Sequence, residues 1–159
     1  SSERFEEARE RFDEALATEP RNARAWLGRG VALAVLERND EALESFKNVL
    51  AVEPLNAEAW YNKANVLARL GRYEESLQGY DRAIELNPED WRSLVNKGNV
   101  LCIRSKQNEA LVCYQRAIAQ NPTDLRLWMD KGLALLELGR TEEAIDCLCQ
   151  LLRPKDRSL

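Results

Sequence analysis

Residues of matched size return every 34 positions along this chain, and that period limits its fold more than any other feature. Trp26, Trp60, Leu94 and Trp128 form one column, Gly30, Ala64, Gly98 and Gly132 a second, and Leu33, Leu67, Leu101 and Leu135 a third. Ala8, Ala42, Ser76, Ala110 and Ala144 make a fourth, and Phe12, Phe46, Tyr80, Tyr114 and Leu148 a fifth. Pro20, Pro54, Pro88 and Pro122 close the units. A unit of this length holds two helical patterns and cannot bury its own apolar face. It must stack on neighbours of its own kind, which makes a solenoid.

The columns follow from packing. Residues such as Trp60 and Leu67 fill the space between the two helices of a unit. The glycine/alanine and alanine/serine columns sit where helices cross closely and a larger side chain would hold them apart. Proline ends one helix because it cannot donate a backbone hydrogen bond inside it. The spacing of Trp60, Ala64, Leu67, Gly71, Ser76, Tyr80, Ala83 and Pro88 resembles the tetratricopeptide repeat, and the resemblance covers nearly the whole chain. It implies an all-α, right-handed superhelical solenoid of antiparallel helix pairs, about nine helices in a single array over residues 1–159.

Read in order, residues 3–20 are the second helix of a truncated repeat, with Ala8, Phe12 and Pro20 in the second-helix columns. The chain thus begins in mid-repeat and reads as a piece of a longer array. Full repeats follow at 23–56, 57–90, 91–124 and 125–158. Asn22, Asn56, Asp90 and Asp124 precede them as expected N-caps, whose side-chain oxygens accept from free backbone N–H groups. Each first helix is expected to run about fourteen residues and to end near Arg38, Arg72, Lys106 or Arg140, with the cation facing the negative end of the helix dipole. Gly71 and Gly139 suit left-handed turn positions, where Glu37 and Ser105 stand in the other two turns. Glu7, Glu41, Glu75, Glu109 and Glu143 are expected in the first turn of each second helix, where solvated helix starts account for them. The last second helix is expected over Thr141 to Leu152, with a frayed tail from Lys155 to Leu159.

Composition narrows the function. A net charge of −4 with both signs interspersed argues against general nucleic-acid binding, which needs a basic stripe. The longest apolar runs fall far short of the ~20 residues that cross a bilayer, so no membrane insertion is expected. There is no histidine, which removes the Ser-His and Cys-His pairs and the usual metal ligand. Every glycine stands alone, so no phosphate-cradling loop exists. We expect no enzyme, no cofactor and no metal. The four cysteines read as small buried hydrophobes in a reducing compartment, which suggests an intracellular, cytoplasmic protein. A disulfide between Cys113 and Cys147, which occupy equivalent places in successive repeats, is the alternative.

The resemblance implies a concave surface lined by first helices and filled by an extended peptide or a partner helix. Its candidates are Tyr61, Asn62, Asn65 and Arg69 in the second repeat, Arg92, Val95, Asn96 and Asn99 in the third, and Arg126 in the fourth. Asparagines three apart share a helix face, and an amide both donates and accepts, which suits a peptide backbone. Arginine adds a carboxylate contact. The alternative reading has these amides tying neighbouring helices together. One subtype of the family grips chaperone C-terminal carboxylates with lysine, asparagine, asparagine, lysine and arginine. The matching residues here are Tyr61, Asn65, Asn96, Arg126 and Asp130, so both lysines are missing and the final charge is inverted. The expected function is a protein–protein interaction scaffold with a protein or peptide ligand. A second reading is an assembly segment that self-associates weakly through its terminal repeats, whose outer face is formed by Ile145, Leu148, Leu151 and Leu152.

Overall fold

The computed structural model describes residues 2–150. Among them are nine helices: α1 (Ser2–Thr18), α2 (Ala23–Val35), α3 (Asn39–Val52), α4 (Ala57–Arg69), α5 (Tyr73–Leu86), α6 (Trp91–Ile103), α7 (Gln107–Gln120), α8 (Leu125–Glu137) and α9 (Thr141–Cys149). No strand occurs among the described residues. The fold is an all-α helical-repeat solenoid. Contacts divide the chain into two units, Ser1–Pro88 with α1–α5 and Glu89–Leu159 with α6–α9. In each unit the first helix of a repeat packs on the second, and first helices of successive repeats also touch, α2 on α4 and α6 on α8.

The turn inside each repeat has one solution. After α2, the Arg38 N–H reaches back to the Leu33 carbonyl at 2.9 Å, and residue 37 adopts the left-handed conformation. The same bonds run from Arg72 to Leu67, Lys106 to Leu101 and Arg140 to Leu135. This is the Schellman arrangement, which satisfies carbonyls left over at the helix end. Gly71 and Gly139 occupy its left-handed position at φ 72° and 73°, and Glu37 and Ser105 adopt it at 60° and 58°. A side chain there costs roughly 1–2 kcal/mol.

Asn22 and Asn56 cap their helices as expected, accepting from the Ala25 and Ala59 N–H groups, and Asp124 accepts from Arg126 N–H. Asp90 instead accepts from the Ser93 hydroxyl and the Arg92 guanidinium. The cations expected at first-helix ends are placed differently. The first helices are thirteen residues long, and the turn consumes the next three. Arg38, Arg72, Lys106 and Arg140 are therefore the N-cap residues of α3, α5, α7 and α9. Their side chains reach forward to Glu41, Glu75, Glu109 and Glu143, with two-pronged arginine bonds in three cases. Glu7 is also displaced, since α1 starts at Ser2 and has Glu3 in its first turn. Leu152, Pro154 and the tail from Lys155 to Leu159 lie outside the described residues.

The core is built where second-helix rings meet first-helix backbone. A Cβ on Gly30 would lie 2.6 Å from the Phe46 ring, one on Gly98 2.7 Å from Tyr114, and one on Gly132 2.8 Å from Leu148. Leu148 therefore belongs to the repeat interior and not to an outer face. The leucines of the third column are buried. The tryptophans are only half-buried, because Trp26, Trp60 and Trp128 send their indole N–H to the carbonyls of Pro20, Pro54 and Pro122. Arg29, Lys63 and Lys131 sit over the same rings. The first helix, α1, is fastened by charge. Asp13 of α1 accepts from Arg9 and from Arg29 of α2, and Arg29 also donates to the Ser45 hydroxyl of α3.

The second repeat trades its small residue between helices. It has Ala64 where the others have glycine, and Gly79 where they have Ser45, Cys113 and Cys147. A Cβ on Gly79 would meet the Ala64 Cβ at 2.9 Å. We expect Gly79→Ser to cost about 1–3 kcal/mol through overpacking. Adding Ala64→Gly should recover most of the loss apart from the roughly 1 kcal/mol propensity penalty of a helical glycine. Urea unfolding of the four species checks this; additive effects would show that the two positions do not compete for one space.

Candidate functional site

The second repeat brings four of the expected site residues onto one helix, α4. Asn62, Asn65 and Arg69 line an open depression of about 370 Å³, whose opposite wall is Val31, Ala34 and Val35 of α2. Val35 is half-exposed, so the floor offers apolar surface as well as polar groups. Arg69 donates to the Ala34 carbonyl at 2.8 Å and so also clasps the end of α2, where its charge suits the dipole. Tyr61 stands beside the depression with its ring tilted against Tyr80, centroids 6.3 Å apart.

Two asparagines have structural partners. The Tyr80 phenol of α5 donates to Asn65 Oδ1 at 2.7 Å, and the Tyr114 phenol of α7 donates to Asn99 Oδ1 at 2.7 Å. The sequence explains why only these repeats contain the pair. Opposite Phe46, which has no hydroxyl, the Asn65 position is Val31, and opposite Leu148 it is Leu133. A buried phenol needs an acceptor, and an aliphatic side chain suffices where the phenol is missing. This covariation, fifteen residues apart in both repeats, was the available signal for a structural role. The Tyr114 phenol proton is used on Asn99, so the Cys102 thiol 3.6 Å away is the donor of that pair. Burial, followed by the Cys102 contact, pushes the Tyr114 phenol far above its ordinary range.

The arginines in the second unit are engaged locally. Arg92 donates to Asp90 at 2.8 Å, and Arg126 bonds both oxygens of Asp124. The Arg126 hydrogen bond holds the Asp124 carboxyl below its usual range, and Asp124 in turn raises Arg126. Val95 is buried at 9% exposure and offers a ligand little surface, whereas Asn96 is half-exposed and Asn99 exposed. The apolar surface on this side comes from Ile103, Met129 and Leu133.

The four cysteines are free thiols. Cys113 and Cys147 are buried as expected, but Cys102 is only half-buried and Cys149 is exposed. Among the described residues no group of three or more acidic, cysteine or histidine side chains could hold a metal ion. No described helix is long and apolar enough to cross a membrane.

Stacked helix pairs with close-packed small residues define a helical-repeat scaffold. Family models of the tetratricopeptide repeat match residues 1–47, 35–93 and 80–112, and a TPR repeat model matches 98–139. The chain belongs to the tetratricopeptide repeat family. Comparison with curated proteins by sequence gives no match. A crystal structure of MamA is similar at 23% identity, with a TM-score of 0.89 over 93% of this chain and 86% of that one. MamA residues 41 to the end from Desulfovibrio magneticus RS-1 align at 22% identity and a TM-score of 0.87, over 96% and 88%. YrrB, described as a TPR protein with an unusual peptide-binding site, aligns at 25% identity and a TM-score of 0.79, over 94% and 77%. The MamA likenesses bear on the fold.

The tyrosine–asparagine clasp is testable through stability. Asn65→Val leaves the Tyr80 phenol without its acceptor and should cost roughly 1–3 kcal/mol. Adding Tyr80→Phe, which reproduces the Phe46/Val31 combination of the first repeat, should restore most of it. Chemical denaturation of both variants distinguishes a clasp from two independent side chains.

Proposed function

We propose that the protein is an interaction scaffold, not an enzyme, and that the face lined by its first helices receives an extended peptide. The α2–α4 depression carries this reading. Valines stand on one wall and amide and guanidinium groups on the other, which suits the side chains and the backbone of one extended strand. Asn62 is the preferred backbone contact, because Asn65 already accepts from Tyr80. Arg69 is exposed and can meet a carboxylate while retaining the Ala34 bond through another nitrogen. The family and the peptide-binding description of YrrB support a protein or peptide partner. In the second unit Asn96 and Asn99 extend the same chemistry. Arg92 and Arg126 reach a ligand only by sharing or leaving Asp90 and Asp124.

The test is selection of a random-peptide library on the full chain, followed by fluorescence anisotropy of the enriched peptides. Asn62→Ala should weaken binding about 2- to 12-fold, as one net hydrogen bond implies, and leave the melting temperature equal or higher. Peptides indifferent to both Asn62→Ala and Arg69→Ala would place the ligand elsewhere.

A second reading, weak self-association through the terminal repeats, is favoured by one observation. Ile145 of α9 is 55% exposed on a helix that no further described helix covers. Leu151 and Leu152 lie outside the described residues. Under this reading, sedimentation over a hundredfold concentration range shows association that Ile145→Glu abolishes. A monomer throughout removes it.

A further inference from the structure

The inward face of α6 and α8 differs in chemistry from the α2–α4 depression. Met129 and Leu133 of α8 are 47% and 52% exposed, and Ile103 of α6 is 60% exposed. Spacing by four puts Met129 and Leu133 on one side of α8, and α8 touches α6 directly. Such a group of large apolar side chains marks an interaction surface more often than solitary exposure does.

Asp130 stands within this surface. It is half-buried, and it makes no hydrogen bond or ion pair with any described residue. Of the cations beside it in the chain, Lys131 lies over the Trp128 ring and Arg126 is bonded to both oxygens of Asp124. Asp130 also lies close enough to Tyr114 and Cys102 to oppose their ionisation, which places it at the edge of the Asn99–Tyr114–Cys102 cluster. Glu137, two turns further along α8, acts on Cys102 in the same sense. Burial and the Asp124 charge raise the Asp130 carboxyl, and the Arg126 charge opposes them only in part. The face therefore presents a partly desolvated negative charge among aliphatic side chains. An acidic ligand would be repelled there, and a neutral one would leave the charge uncompensated.

We propose that the α6–α8 face binds a peptide segment in which a lysine or arginine pairs with Asp130 while flanking aliphatic side chains cover Ile103, Met129 and Leu133. Asn99 borders the segment and offers its amide N–H groups to the peptide backbone, its oxygen being held by the Tyr114 phenol. The inference shares with the proposed function the premise that first-helix faces receive peptides, but it assigns this face its own ligand chemistry.

Met129 is the only methionine in the sequence, so a chain labelled at the methionine methyl gives one resonance, located at the proposed site. The probes are two short peptides, one with leucine–lysine pairs between glycine–serine spacers and one with glutamate in place of each lysine. The lysine peptide should move the Met129 resonance and bind at least tenfold tighter than the glutamate peptide. Asp130→Asn should weaken lysine-peptide binding about tenfold, and Asp130→Lys should reverse the preference. Glu142→Gln, which removes the same charge from the exposed start of α9, should have no effect.

An unmoved Met129 resonance, or equal losses from Asp130→Asn and Glu142→Gln, overturns the inference. If Met129 stays still while Asn62→Ala weakens a selected peptide, this inference fails and the α2–α4 reading stands. If Met129 moves and Asn62→Ala has no effect on any peptide, the α2–α4 reading fails and this one stands.

Discussion

The seating of a large second-helix side chain on uncovered first-helix backbone is the contact on which the rest of the structure depends. Phe46 on Gly30, Tyr114 on Gly98 and Leu148 on Gly132 bring two helices closer than any Cβ would allow. That closeness buries the adjacent leucines and the fully enclosed alanines of the second helices. It also determines where the ring ends. A phenol seated this way carries its hydroxyl to the inward face of the first helix, and the acceptor there must be supplied from that face. Asn65 and Asn99 are the supply. A packing constraint between two helices thus decides which polar groups line the surface open to a ligand.

Much of this was legible in the sequence because it depends on residue size at fixed spacing. The 34-residue period gave the helix pairs, the asparagine and aspartate caps marked the first-helix starts, and the glycines at 71 and 139 marked left-handed turns. Features that depend on a difference of a few residues along the chain were less legible. Arg38, Arg72, Lys106 and Arg140 follow a helix and precede another, and only the three-residue turn decides that they serve the second. Leu148 reads as outer surface from its apolar neighbours, but its column places it on Gly132. The site was legible as a set of candidates, not as a set of roles. An asparagine on a helix face looks the same whether it awaits a peptide or accepts from a tyrosine, and the partner lies fifteen residues away. Comparing repeats separates the two cases at Asn65 and Asn99 but not at Asn62 and Asn96, whose counterparts are Asp130 and Gly28, the latter kept small by the Phe12 ring.

The two inward faces consequently have different chemistry on the same framework. In the first unit the last cation of α4 spans to α2, and the surface combines valine with amide and guanidinium. In the second unit the arginines are drawn back to the aspartates that cap their own helices, and Asp130 is left among aliphatic side chains. Capping, a purely local need, thereby removes positive charge from one surface and not from the other.

The exchange of small and larger residues between Ala64 and Gly79 bears on how such chains change over time. Each helix pair is matched internally, glycine against serine or cysteine in three repeats and alanine against glycine in the second. Duplication of a whole pair copies the match. Recombination inside the turn that joins the two helices would separate its halves and set alanine against cysteine, or glycine against glycine, leaving a collision or a void. The heritable module in this protein is therefore the complete hairpin, and its boundaries lie at the prolines rather than at the glycine turns.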